Sequence, residues 1–143
     1  MPKSFPAEPA RSPGRASSIS LGLLALLFAA AGLLHFLRPD GYVSIVPHFL
    51  PAPRALVFAS GACEVLLGLG LLWPRARAAA GIGLIALLVA VFPANIQMLL
   101  NAQAAGAAPW WQLALWLRLP LQAVLALWVF RIAIARRYPL ESR

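Results

Sequence analysis

Four apolar tracts, each long enough to cross a bilayer, dominate the chain. They run from Ile19 to Leu37, from about Ala55 to Trp73, from about Ala78 to Leu100 and from about Trp110 to Phe130. A helix rises 1.5 Å per residue and a hydrocarbon core is about 30 Å thick, so about 20 apolar residues make one crossing. The pattern predicts four transmembrane helices. Pro51 and Pro53 open the second and Pro74 closes it, because proline suits a helix's first turn and breaks its interior. The tight Pro74-Arg75-Ala76-Arg77 connection makes the second and third helices an antiparallel hairpin. The expected fold is an all-α membrane protein, an antiparallel four-helix transmembrane bundle over residues 19–131.

The flanking and connecting segments have a different character. Residues 1–18 are rich in Pro, Ser and Arg without apolar periodicity, which predicts a disordered basic tail. Residues 132–143 form a second basic tail. The first apolar tract follows basic residues as a signal peptide would, but its run of about 19 residues exceeds the 7–15 of a signal core, and it is kept as a span. The connection Arg38 to Arg54 has an apolar middle of Tyr42, Val43, Ile45, Val46, Phe49 and Leu50. Too short to cross, it is expected to lie as an amphipathic outer loop between helices 1 and 2, either on the membrane surface or as a lid over the bundle mouth.

Composition narrows the class. Of 143 residues, 62% are hydrophobic and 11% charged, against roughly 45–50% and about 25% for a soluble domain. A soluble globule is excluded, and no separate soluble domain fits. The imbalance of 12 Lys+Arg over 4 Asp+Glu is a topology signal, as its positions show. Lys3, Arg11, Arg15, Arg75, Arg77, Arg131, Arg136, Arg137 and Arg143 share one side, against Arg38 and Arg54 on the other. The positive-inside rule puts both termini in the cytoplasm. Anionic lipid headgroups are the expected partner of the tails, and nucleic acid is not. Cys63 is the single cysteine, so a disulfide or C-x-x-C redox pair within the chain is excluded. No internal repeat supports an inverted-repeat transporter.

Polar residues inside spans carry the candidate chemistry. An ionisable group there costs about 2.5–3.5 kcal/mol even on insertion scales, so it needs a partner or a purpose. Glu64 and Arg118, of opposite sign, both fall about 12–14 Å below the outer helix ends, and an ion pair between them is expected. His35, Asn95, Gln97 and Gln122 lie at compatible depths, Gly61 and Gly68 share the Glu64 face, and Pro93 and Pro120 free carbonyls nearby. The candidate polar locus is His35, Glu64, Asn95, Arg118 and Gln122, serving either to lock helix register or to hold a ligand or proton. Bis-histidine haem ligation by His35 and His48 is not expected, and no metal-ligand spacing, phosphate loop or nucleophile triad occurs. No catalytic residue is assigned.

The segments Gly32-Leu-Leu-His-Phe-Leu-Arg-Pro39, Val46-Pro-His-Phe-Leu-Pro51, Ser60-Gly-Ala-Cys-Glu-Val-Leu-Leu-Gly68, Val91-Phe-Pro-Ala-Asn-Ile-Gln-Met98 and Arg118-Leu-Pro-Leu-Gln122 resemble those of DoxX-like small membrane proteins. The resemblance covers about residues 19–131. It implies a four-helix membrane bundle and points to the same five polar residues. It also implies a bacterial plasma membrane and a subunit of a quinone-linked redox complex, with quinone as the cofactor class. The chain lacks the cysteine pair and haem site of a self-sufficient redox enzyme, so that role needs a bound quinone or a protein partner. Three functional classes follow: a membrane-embedded subunit or binding module, a small-solute transporter or channel acting as a homo-oligomer, and an assembly factor for other membrane proteins.

Overall fold

A computed structural model describes residues 15–135, and the two expected tails lie, for residues 1–14 and 136–143, outside the described residues. The described residues are helical, without strands. The long helices are α1 (Arg15–Leu37), α3 (Pro53–Gly70), α4 (Arg77–Ala104) and α5 (Pro109–Val129), with a short α2 (Pro39–Val43) between the first two. All four long helices are long and apolar enough to cross a membrane. The chain is a multi-pass membrane protein.

The boundaries correct the sequence expectation at both ends. Helix α1 begins at Arg15, four residues before Ile19. Nothing from Arg15 to Ser18 opposes a helix, and Ser17 is buried. At the other end α5 passes without interruption into a π-helical segment, Phe130–Ala135. Its Ala133 packs beside Gly81 of α4, where an added Cβ would come within 2.8 Å of the Ala133 Cβ. Pro93 and Pro120 lie inside helices that continue through them.

Helix α1 packs along α3, α4 packs along α5, and α3 is joined to α4 through the turn after Gly70. Residue pairing gives the direction: Gly68 meets Phe28, and Gly61 meets His35. As one number falls the other rises, so α1 and α3 run oppositely. In the same sense Asn95 meets Gln122 across α4 and α5, and Gly81 meets Ala133. The close approach of α1 and α3 requires glycine. A Cβ on Gly32 would sit 2.5 Å from the Gly61 carbonyl oxygen, and one on Gly61 would sit 2.6 Å from the His35 Cβ. Small residues let helix backbones touch where lipid provides no hydrophobic drive between helices.

Apolar packing is uneven. At the end where the described chain starts and stops, Leu24, Leu71, Leu84 and Val129 are fully buried with Leu21, Phe28, Leu88 and Ala133 around them. Trp128 packs partly buried against this cluster. A smaller cluster of Leu99, Ala102 and Leu115 ties α4 to α5 nearer the other end. Leu26, Leu66, Val89 and Leu121 are mostly exposed. An outward aliphatic side chain on every span is the mark of a helix bundle whose solvent is hydrocarbon.

The segment between α1 and α3 folds back over the second end, the loop end. Arg54 donates to Asp40 Oδ1 at 2.7 Å, the Asn101 amide of α4 donates to the Ser44 carbonyl at 3.0 Å, and the Tyr42 ring stacks on His35 at 3.9 Å. The chain enters α3 through Ala52 at φ 49°, a left-handed conformation that costs an L-residue with a Cβ about 1–2 kcal/mol. Ala52→Gly is therefore expected to raise the thermal midpoint of the detergent-solubilised protein by several degrees. An unchanged or lowered midpoint would show that this turn relaxes without strain.

A candidate polar site between the helix pairs

Glu64 lies about 16 Å along α3 from Pro53, and Arg118 about 14 Å along α5 from Pro109. Asn95 is two residues beyond Pro93 on α4, and His35 is near the C-terminal end of α1. The depth match holds, and four elements bring these residues to one place. Two cavities meet there. The larger, ≈ 260 Å³, has walls of Leu27, Phe28 and Ala31 from α1 and of Leu121 and Leu125 from α5, with Glu64, Asn95, Arg118 and Gln122 at its polar part. The smaller, ≈ 80 Å³, is lined by His35, Tyr42, Ser60, Glu64, Asn95 and Arg118. Glu64, Asn95 and Arg118 belong to both.

The expected Glu64–Arg118 ion pair is not formed. The two face the same cavities, but the described contacts of Glu64 are with α1, where its Oε2 comes within 3.5 Å of His35 Nδ1. Arg118 instead points Nη1 at the Met98 sulfur, 3.7 Å away. The physical reason is packing: α1 lies against α3 at the glycine contact and α5 lies against α4, so Glu64 and Arg118 sit on opposite walls of the gap. The His35 approach does not satisfy Glu64 either. Nδ1 of a neutral imidazole has one hydrogen, and His35 places it on the Ala31 carbonyl at 3.0 Å. Glu64 Oε2 is left buried without a hydrogen bond.

Asn95 and Gln122 form the satisfied part of the locus. The Asn95 amide donates to Gln122 Oε1 at 2.6 Å, and the Gln122 amide donates to the Leu88 carbonyl on α4. That carbonyl is one residue before Val89, whose usual helical donor Pro93 lacks. Gln122 thus engages the carbonyl beside the one that Pro93 frees, and not the freed one itself. Gln97 departs from the sequence expectation: its amide turns to Asn101 Oδ1 at 2.8 Å, outside both cavities.

Tyr42, Ser60 and Met98 were not among the sequence candidates. Ser60 is one turn before Glu64 on the same helix face, a signal that was available; its hydroxyl donates to the Val57 carbonyl at 2.9 Å. Tyr42 had no spacing signal because it reaches the site only through the loop's return. Burial pushes its phenol above the ordinary value of 10, the negative charge of Glu64 adds to the rise, and Arg118 opposes it. The Tyr42 hydroxyl thus stays protonated at neutral pH. Cys63 is a free, exposed thiol on the outer face of α3, outside both cavities. Among the described residues no group of three His, Cys, Asp or Glu side chains is placed to hold a metal ion.

These features define a small four-span membrane protein with a polar pocket between two helix pairs. The chain belongs to a family described as a domain of unknown function, DUF8561, which matches residues 24–133 and so reaches into all four spans. Neither the curated proteins nor the solved structures compared with it gave a match.

Proposed function

We propose that the protein is a membrane-embedded binding module whose polar pocket receives the head of a molecule dissolved in the bilayer. The observation that carries this is the pair of opposed groups in the larger cavity: among the described residues, a buried carboxylate oxygen without a hydrogen-bond partner and a guanidinium whose hydrogen-bond contact is a thioether. A head that bridges them needs a hydrogen-bond donor toward Glu64 and an acceptor toward Arg118. The cavity's rim suits such a guest. Leu27 and Leu121, on α1 and α5, are both exposed at its mouth, so its side entrance is apolar and faces lipid. Apolar walls with a few convergent polar groups are the usual form of a small-molecule site.

A quinol head offers both, a hydroxyl that donates toward Glu64 and an oxygen that accepts from Arg118, whereas a quinone accepts from both once Glu64 is protonated; either carries an isoprenoid tail suited to that entrance. This choice is supported by the DoxX-like resemblance, under which the chain acts as a subunit of a quinone-linked redox complex in a bacterial plasma membrane. The charge distribution supports cytoplasmic termini and attraction of the basic tails to anionic lipid. Tight apolar packing at the end opposite the loop favours a dead-end pocket over a transport path through one chain.

Native mass spectrometry of the protein extracted gently from its own membrane tests the proposal, comparing wild type with Arg118→Ala. The expected outcome is a quinone or other single-tailed lipid retained by wild type and lost, by tenfold or so in occupancy, from a folded variant, as removal of about 1.4 kcal/mol of binding would give. Equal retention by both, or a stable protein partner without any small ligand, would overturn it.

A further inference from the structure

The smaller cavity shares Glu64, Asn95 and Arg118 with the larger one but reaches towards the loop instead of the lipid-facing leucines. Six polar side chains border it, those of His35, Tyr42, Ser60, Glu64, Asn95 and Arg118, it holds no more than a few waters at about 30 Å³ each, and it lies under the loop that carries Tyr42 and Ile45. A water placed there meets enough partners to be stable. Glu64 Oε2 lacks a donor, Arg118 has spare N–H groups, the Ser60 oxygen can still accept, and the Tyr42 hydroxyl can do either. Buried waters are retained where two to four such groups converge.

We infer that this chamber is a water-filled antechamber through which Glu64 exchanges protons with the loop end of the protein. The direction follows from how the two ends are built. Towards the chain-terminal end the route from Glu64 meets the packed apolar side chains of Phe28, Leu71, Leu84 and Val129. Towards the loop end it meets only the half-buried Tyr42 and Ile45, beyond which Ser44 is exposed. The groups that face Glu64 are His35 from α1, Tyr42 from α2, Arg118 from α5 and the neutral Asn95 from α4. His35 has already committed its Nδ1 hydrogen to Ala31, so water is the group left to reach the carboxylate. The step itself is a proton moving between a chamber water and Glu64 Oε2, with the water restored from the loop-end solution; no electron moves. Glu64 borders both cavities, so the same carboxyl can pass the proton to a head bound in the larger one. That last transfer rests on the binding proposal, whereas the exchange does not.

Infrared difference spectroscopy of the protein in nanodiscs, with no quinone added, tests the exchange. The protonated-carboxyl stretch that disappears in Glu64→Gln identifies the group, and its downshift on moving from H₂O to D₂O gives the exchange rate. Ile45→Trp fills the chamber from its roof and is expected to slow that downshift about tenfold, the effect of ~1.4 kcal/mol of added barrier. The lipid-facing Leu26→Trp leaves it unchanged. Should Ile45→Trp fail to fold, Ile45→Phe is expected to give a smaller slowing of the same sign. Absence of any Glu64-dependent carboxyl band at all pH values tried, or an exchange rate indifferent to the filled chamber, would overturn the inference. Failure to bind quinone would leave it standing and would count only against the binding proposal.

Discussion

Gly61→Leu is expected to separate α1 from α3 and to lower stability by about 3 kcal/mol, the upper part of the range for overpacked cores. The size of the effect comes from what the new side chain would strike. Even a lone Cβ at Gly61 would lie 2.6 Å from the Cβ of His35 and 2.8 Å from the carbonyl oxygen of Gly32. The second of these is backbone, which cannot rotate away, so α1 must move as a body. Moving α1 also moves His35 and the loop stacked on it. Gly22, on the same α1, supplies the contrast: an added Cβ there meets nothing within 4 Å, and Gly22→Ala should stabilise the helix by about 0.5–1 kcal/mol through reduced backbone entropy. Thermal unfolding of both variants in the same detergent checks the pair. If Gly61→Leu melted with the wild type, the close approach of α1 and α3 would be refuted.

Much of this fold was legible because lipid imposes simple rules. Apolar length located the four spans, and Pro51 and Pro53 placed the start of α3 to within two residues. Boundaries were lost where apolarity is a poor guide to helicity. Arg15 to Ser18 read as tail because they are polar, yet nothing in them breaks a helix. Residues 131–135 continue α5 as a wider turn that composition does not signal. At the site, depth along the helices found His35, Glu64, Asn95, Arg118 and Gln122, because polar atoms inside a membrane are too costly to occur without cause. Depth is one coordinate and helix rotation is another. Rotation separates Glu64 from Arg118 and turns Gln97 outward, and it is fixed by the glycine contact and by the Asn95–Gln122 bond, neither of which spacing alone can orient. Tyr42 was hidden for a different reason, since a loop residue reaches its place through tertiary folding that no local period encodes.

Gln122→Leu is the second substitution with a large expected effect, and its partner variant gives it meaning. In the wild type, Gln122 joins the Asn95 amide to the Leu88 carbonyl, clamping α5 on α4. Truncating it to an apolar side chain leaves Asn95, itself buried, with an amide donor and no acceptor, at a cost of about 1–3 kcal/mol. Asn95→Leu combined with Gln122→Leu removes both members, and replacing both partners by apolar groups of similar size is nearly neutral. The double variant should therefore be more stable than Gln122→Leu alone, a coupling read directly from the four melting points of a double-mutant cycle. Ligand retention should behave oppositely. Stability can be recovered by removing the second amide, but the polar wall of the larger cavity cannot, so the double variant is expected to fold well and still hold less of any bound head. A double variant that recovered both stability and retention would make Asn95 and Gln122 a register lock alone and leave binding to Glu64 and Arg118. One that recovered neither would show that the clamp on Leu88, rather than the amide pair, is what holds α4 and α5 together.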